Sequence, residues 1–291
     1  MARNNQARTG VRKAPTAASE SDPPVEPTSA PAKGTLSYVS PTEFVELPSG
    51  GRYYPPGHAL YKQDTVEIRY MTARDEDILT SQTLLRKGLA IDRLLENLLI
   101  NEEIQVNDLL VGDKSALILA ARISGYGADY QTKVTCPGCN AAVDHSFDLS
   151  DVTNNPGNVV SEGIEEVEVT PHGTFVVTLP KTQYKAEFRL LTGHDERHLT
   201  EAANKKSKLK IPDAGATDLL KRLLISINDV TNGNEISDFI DNMPALDSRF
   251  LRACVVGATP NVDMSQLYSC SNCGYESEME VPLTADFFWP G

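Results

Sequence analysis

Apolar residues recur along this chain in two rhythms, and each rhythm occurs twice. In "TVEIRYM" from Thr65 they alternate, as in a half-buried strand, and "KAEFRLL" from Lys185 does the same. After each strand the spacing becomes helical. Leu94, Leu95, Leu98 and Leu99 make a broad core-facing stripe, and leucine-rich helices are predicted near 89–100 and 113–125, then near 215–228 and 244–256. Thr72 and Thr192 stand where a helix begins, with Asp75 and Glu76, or Asp195 and Glu196, in the first turn. Their oxygens can satisfy free backbone N–H groups there and favour the positive end of the dipole. This accounts for the shared T-x-x-D-E without catalysis, because consecutive helical residues diverge by about 100° and do not converge on one substrate atom. Each series closes on two alternating stretches around a C-x2-C, "DYQTKVTCPGCNAAVDHSFDL" and "DMSQLYSCSNCGYESEMEVPL". These read as hairpins with the cysteines at the tip and Pro137-Gly138 or Ser271-Asn272 in the turn.

The two series also match residue by residue. Glu67, Arg69, Thr72, Asp75, Glu76 and Leu79 pair with Glu187, Arg189, Thr192, Asp195, Glu196 and Leu199 at a constant offset of 120. "LLENLLI" from Leu94 pairs with "LLKRLLI" from Leu219 at 125. Asp113, Leu117, Asp129, Cys136, Cys139 and Leu149 pair with Asp247, Leu251, Asp263, Cys270, Cys273 and Leu283 at 134, without a gap. The offset grows only between blocks, as loop insertions make it grow, so the chain reads as a tandem duplication. The expected fold is α+β, two copies related by a pseudo-twofold axis, each running strand, helices and a β-hairpin that bears a CxxC zinc knuckle. The expected boundaries are an arm over 1–37, a first repeat over 38–155 and a second over 156–291.

Cysteine usage turns this pattern into candidate chemistry. Of five cysteines in 291 residues, four form the two C-x2-C pairs, which points to metal binding in a reducing compartment and not to a disulfide framework. A chain this long, 40% hydrophobic, can build its core without disulfides. A structural zinc ion takes four ligands, and one knuckle supplies two. A pseudo-twofold brings Cys136 and Cys139 to Cys270 and Cys273, so that each knuckle completes the other's tetrahedron. One structural zinc per chain is therefore expected, the alternative being four unligated thiols. Four thiolates leave no open position for water or substrate, so such a zinc staples and does not catalyse. Cys254, within "FLRACVVGA", reads as an inert core residue. His145 lies in the alternating "AAVDHSFDL", where its ring is expected to point to solvent. His194 and His198 have the spacing of a helical metal pair, but "HDERH" lacks the second-position Glu of H-E-x-x-H and they read as surface histidines. No phosphate loop, dinucleotide-binding glycine motif or nucleophile elbow occurs, and no enzyme is expected.

Charge narrows the partners. The net charge of −13, from 27 Lys and Arg against 40 Asp and Glu, makes most of the surface repel nucleic acid. The exception is the beginning of the chain, where Arg3, Arg8, Arg12 and Lys13 precede the first acid, Glu20. Residues 1 to about 36 are rich in Pro, Ala and Ser and bury too little apolar surface to fold, so they read as a disordered arm, either a solvated tether or a segment that orders on a partner. No apolar run has the length of a membrane span and the N-terminus lacks the hydrophobic segment of a signal peptide, so a cytoplasmic protein is expected. The last residues, "ADFFWPG", concentrate Phe287, Phe288 and Trp289, which suit either a partner interface or a lid on the chain's own domain.

The segments "ELPSGGRYYPPG" from Glu46, "MTARDEDIL" from Met71 and the closing "ADFFWPG" resemble the baseplate hub proteins of T4-type contractile-tailed phages, in which an E-L-P-S-x-G-x-x-Y strand precedes a T-x-x-D-E helix. The resemblance is clearest over residues 43–150. It implies a virion or assembly component of the tail baseplate, made in the host cytoplasm and incorporated with other baseplate or tail proteins, with no small-molecule substrate. The zinc knuckles rest on this sequence alone. The knuckles and the basic arm also admit a second reading, a cellular zinc-ribbon adaptor or nucleic-acid-associated factor.

Overall fold

The structure is a computed structural model, and it describes residues 40–157, 167–209, 215–282 and 287–288. The arm over 1–37, its basic residues, Leu283 and Trp289 lie outside the described residues. The first half begins with β1 (Thr42–Glu46) antiparallel to β2 (Thr65–Arg69), Val45 opposite Val66. Four helices follow, α1 (Ala73–Thr80), α2 (Gln82–Lys87), α3 (Ala90–Leu98) and α4 (Val111–Tyr126). A hairpin of β3 (Asp129–Thr135) and β4 (Ala142–Asp148) and a short β5 (Thr153–Asn155) complete it. The second half opens with β6 (Val167–Val169), β7 (Phe175–Thr178) and β8 (Lys185–Phe188). It continues through α5 (Gly193–Lys208), α6 (Gly215–Leu223), β9 (Leu224–Ile227), α7 (Gly233–Asn242) and α8 (Ala245–Ala258). It closes with β10 (Asn261–Asp263), β11 (Ser265–Ser269) and β12 (Glu276–Glu280). Helices and small antiparallel sheets, the largest being β6-β7-β8-β9, make this an α+β protein.

The caps form where the sequence puts them. Thr72 and Thr192 each sit in extended backbone ahead of a helix, and both make a capping box with the aspartate three residues on. The helix expected over 215–228 is shorter than its apolar run. It stops at Leu223, and Leu224–Ile227 instead forms β9 beside β8, Phe188 opposite Leu224. Continuous apolar residues suit a buried strand as well as a helix, and here an open sheet edge takes them. The first half ends its helix in the same way, because α3 stops at Leu98 and Leu99 bridges to Ile68.

Leu79, Leu94, Leu95 and Leu98 of the first half and Phe188, Leu223 and Leu251 of the second, all fully buried, belong to one continuous core. Four carboxylates lie in it, each at most 1% exposed: Asp75, Asp113, Asp195 and Asp247. Buried charge is tolerated only with partners. Asp75 accepts both guanidinium nitrogens of Arg69 (2.7 and 2.9 Å) and the Thr72 N–H and hydroxyl (2.8 Å each). Asp195 repeats this with Arg189 and Thr192 and adds Arg222 Nε at 2.5 Å. Burial alone would raise both carboxyls, but these donors hold them below the usual carboxylate range. Asp113 accepts the Ser49 N–H (2.9 Å), the Ser49 hydroxyl (2.7 Å) and the Tyr54 hydroxyl (2.8 Å), whereas Asp247 accepts the backbone N–H groups of Lys181 (2.7 Å) and Thr182 (3.0 Å). Each of these two ties the start of α4 or α8 to the loop after β1 or β7.

Candidate metal centre

The two hairpins carry the cysteines at equivalent points of the same tight turn. In the first, the Cys136 N–H donates to Ala141 O (2.9 Å) and the Asn140 N–H to Cys136 O (2.8 Å). In the second, the Cys270 N–H donates to Tyr275 O and the Gly274 N–H to Cys270 O, both at 2.9 Å. The turn needs left-handed backbone at its fifth position, and Asn140 (φ 56°) and Gly274 (φ 70°) are residue types that enter it at little cost.

The turns face each other. Cys136 Sγ lies 3.7 Å from Cys273 Sγ and Cys139 Sγ 3.9 Å from Cys270 Sγ, and all four sulfurs fall within 4.8 Å of one another. Tetrahedral thiolates about 2.3 Å from a zinc ion stand about 3.8 Å apart, so the spacing suits such an ion. No disulfide joins the four. Among the described residues this is the one group of three or more metal-ligating side chains close enough to share an ion.

The surroundings favour a thiolate at Cys139 and Cys270, whereas the neighbouring sulfurs push the Cys273 thiol up. The Gly138 N–H donates to Cys136 Sγ (3.3 Å), and the Asn272 side-chain amide of the second turn donates to Cys139 Sγ of the first (3.6 Å). Burial raises the Cys270 thiol, but the N–H groups of Cys273 and Asn272 and the Tyr268 hydroxyl outweigh it and bring it down to about 6. The Tyr268 hydroxyl is buried without a conventional oxygen or nitrogen partner among the described residues. Burial first, then the Cys270 and Cys136 sulfurs, keep it protonated, as a donor to a thiolate must be. A side chain at Gly138 would collide with the Tyr275 ring, which lies 2.9 Å from where its Cβ would be. Each turn thus helps to build the other's site.

Further contacts clamp the hairpins. The Gln266 amide donates to Asp148 O (2.6 Å) and its oxygen accepts the Asp148 N–H (3.2 Å). His145 does not point freely to solvent. Its ring packs edge-on against Phe147 and Tyr268, centroids 4.6 and 5.1 Å away, and it is not among the clustered ligands. It shares the inward face of β4 with Val143 and Phe147, as alternation allows, and Tyr268 of the second hairpin covers it there. Cys254 is buried in α8 outside the cluster, its thiol pushed up to about 11 by burial. His194 and His198 are exposed on α5, their Nε2 atoms 3.1 Å apart.

Phe287 and Phe288 are buried in the chain's own core. Phe287 meets the Tyr130 ring edge-on at 5.2 Å, and its carbonyl accepts Arg122 Nε at 2.5 Å. Of the two readings of the tail, these two residues follow the lid.

Sequence reasoning missed the pairing of Arg69 and Arg189 with the buried Asp75 and Asp195, although both members stand in the matched blocks, because capping alone sufficed to explain the aspartates. It also missed V-x-L-P, present as Val45-Glu46-Leu47-Pro48 and Val177-Thr178-Leu179-Pro180, and the Pro-Gly of Pro156-Gly157 and Pro290-Gly291. The V-x-L-P segments precede the loops that bind Asp113 and Asp247. A cleft of about 850 Å³ between α2, α3, α4 and α5 contains a network of ion pairs: Lys114 with Asp92 (2.9 Å) and Glu196 (3.1 Å), and Arg197 with Asp92 (2.5 Å). No helix among the described residues is long and apolar enough to cross a membrane.

Neither a curated protein nor a solved structure matches the chain. A family model does: the T4 bacteriophage base plate protein family matches residues 40–289, nearly all of the chain beyond the arm. Its members are structural proteins of the virion tail baseplate, where they assemble with other tail proteins. With both hairpins and all four clustered cysteines inside the matched residues, this chain belongs to the T4 bacteriophage base plate protein family.

Proposed function

We propose that the chain is a structural or assembly component of a contractile-tail baseplate hub, in which a single structural zinc ion joins two internal repeats. The observation that carries the zinc is the meeting of Cys136, Cys139, Cys270 and Cys273, two from each hairpin, within 4.8 Å. When bound, the ion would supply a crosslink between chain segments more than 130 residues apart, and no chemistry on a substrate. The protein's residues would hold the thiolates with N–H donors, exclude water with Tyr268 and fix the turns with Gly138 and Tyr275.

The repeat reading, with halves over 38–155 and 156–291 after an arm over 1–37, rests on matching hydrogen bonds as well as matching residues. The Leu47 N–H donates to Asp64 O and the Leu179 N–H to Tyr184 O, at 2.8 and 2.9 Å. Ile68 faces Leu99 as Phe188 faces Leu224. A pseudo-twofold is supported around the hairpins, where the chain after each crosses to the other: Thr153 lies opposite Asp263, and Phe287 packs on Tyr130. The cellular adaptor that the sequence also admitted has no comparable support. The role is taken to be non-enzymatic, made in the host cytoplasm, with the arm as a tether. Metal analysis of purified protein tests the reading. One zinc per chain is expected, and Cys136→Ser should release it. Two zincs per chain, or none, would sink the shared site.

A further inference from the structure

The helical parts of the two halves meet through a contact used only once. The start of α4 sits in a notch on the second half, formed by the N-terminus of α5 and the chain just beyond α8. The Val111 N–H donates to Leu191 O (3.1 Å), the Gly193 N–H donates to Leu109 O (2.9 Å), and a Cβ on Gly112 would stand 2.0 Å from Pro260 O. The Lys114–Glu196 ion pair lies across the same joint.

The repeat gives each side a counterpart. That of the α4 start is the α8 start, where Leu246 stands in place of Gly112. That of the notch is the N-terminus of α1 with the end of α4, where Tyr126 stands in place of Pro260. A twofold would bring these two together as well, yet both are open. Leu246 is 57% and Val256 76% exposed, with Arg249 beside them, and Ala73, Glu76 and Asp77 of α1 are exposed. The helical parts are therefore joined head to tail, and such a joint leaves one unmated face at each end.

We propose that these two faces mate between molecules, the α8 start of one chain docking in the α1–α4 notch of a second copy. The proposal rests on the repeat reading above. The faces differ in net charge, with Arg249 and Arg252 along α8 and, on α1, Glu76 and Asp77 outnumbering the exposed Arg74. Leu246 and Val256 add exposed apolar surface, and the docking differs in detail from the internal joint, because Leu246 carries a side chain where Gly112 allows close backbone approach. The contact is heterologous, so it closes into a ring or continues as a filament.

Analytical ultracentrifugation of the full chain tests this with two blocked forms. Leu246→Glu with Arg249→Glu removes the α8 face, and Asp77→Arg removes the notch. None of these residues touches the cysteine cluster, so zinc content and circular dichroism should match wild type. Wild type is expected to form concentration-dependent oligomers and each blocked form to sediment as a single chain. An equimolar mixture of the two should give a one-to-one dimer, because each brings one live face. A wild type that stays monomeric overturns the proposal, as it would if the arm or another baseplate protein took the α8 face. So does a blocked form that still assembles, or a mixture that stays monomeric. A monomer holding one zinc per chain overturns the docking alone and leaves the repeat and its zinc standing.

Discussion

In the first half the carboxylate at the start of the long helix is held mainly by side chains, and in the second by backbone alone. Asp113 takes the Ser49 and Tyr54 hydroxyls with one N–H from an 18-residue loop between β1 and β2, whereas Asp247 takes two N–H groups from a six-residue loop between β7 and β8. The long loop brings Tyr54 far enough to bridge Asp113 and the Leu110 N–H (3.0 Å). The short loop has no residue to spare and turns its own peptide groups inward. The anchor is common to both halves and the donors are not. A buried carboxylate demands that its hydrogen bonds be made and is indifferent to which groups make them. The Arg–Asp pairs differ by degree: Asp75 has one arginine, Asp195 two.

The sharpest way to break the comparison is to remove what the halves are proposed to share. Cys136→Ser and Cys273→Ser should lower stability equally, by several kcal/mol, with a single unfolding transition, because each would remove the same crosslink. Two transitions in calorimetry, with only the mutated half weakened, would show that the hairpins are not joined.

The arginines come next. Arg69→Met leaves Asp75 buried without a counter-ion and should cost about 3–5 kcal/mol in urea unfolding. Arg189→Met should cost less, because Arg222 still reaches Asp195. Equal losses would show that Arg222 contributes nothing. Acid sharpens the same contrast. Asp75, Asp92 and Asp195 have folded pKa values below their unfolded ones, so their contribution is complete above about pH 4 and is lost as pH falls below it. Asp113 has the opposite sign. Burial pushes it up against the Ser49 and Tyr54 hydrogen bonds, so what its titration contributes is present at low pH and lost as pH rises. Melting temperatures across pH 3–7 should fall toward acid in wild type and fall less in an Arg69→Met, Asp75→Leu double variant.

The smallest expected effect concerns donors without a counterpart. Tyr54→Phe removes one bond to Asp113 and leaves the Leu110 N–H unpaired, a loss of about 1–3 kcal/mol. A neutral result would mean that water replaces the hydroxyl.

Much of this protein was legible without coordinates. Thr72 and Thr192 cap helices, the strands before them alternate as read, and the C-x2-C turns stand at hairpin tips, because capping, periodicity and turn geometry act over a few residues and are written in those residues. The sequence also singled out the four cysteines and paired the two C-x2-C turns, which the fold brings together. What tertiary structure decided lies at longer range. Leu224–Ile227 became a strand because β8 had an open edge. His145 found Tyr268, Asp113 found Ser49, and Phe287 found Tyr130, none of them near in sequence. A buried polar group or ring must be satisfied by whatever the fold brings beside it. Periodicity can say that a residue faces inward, but which neighbour it meets depends on how distant segments pack.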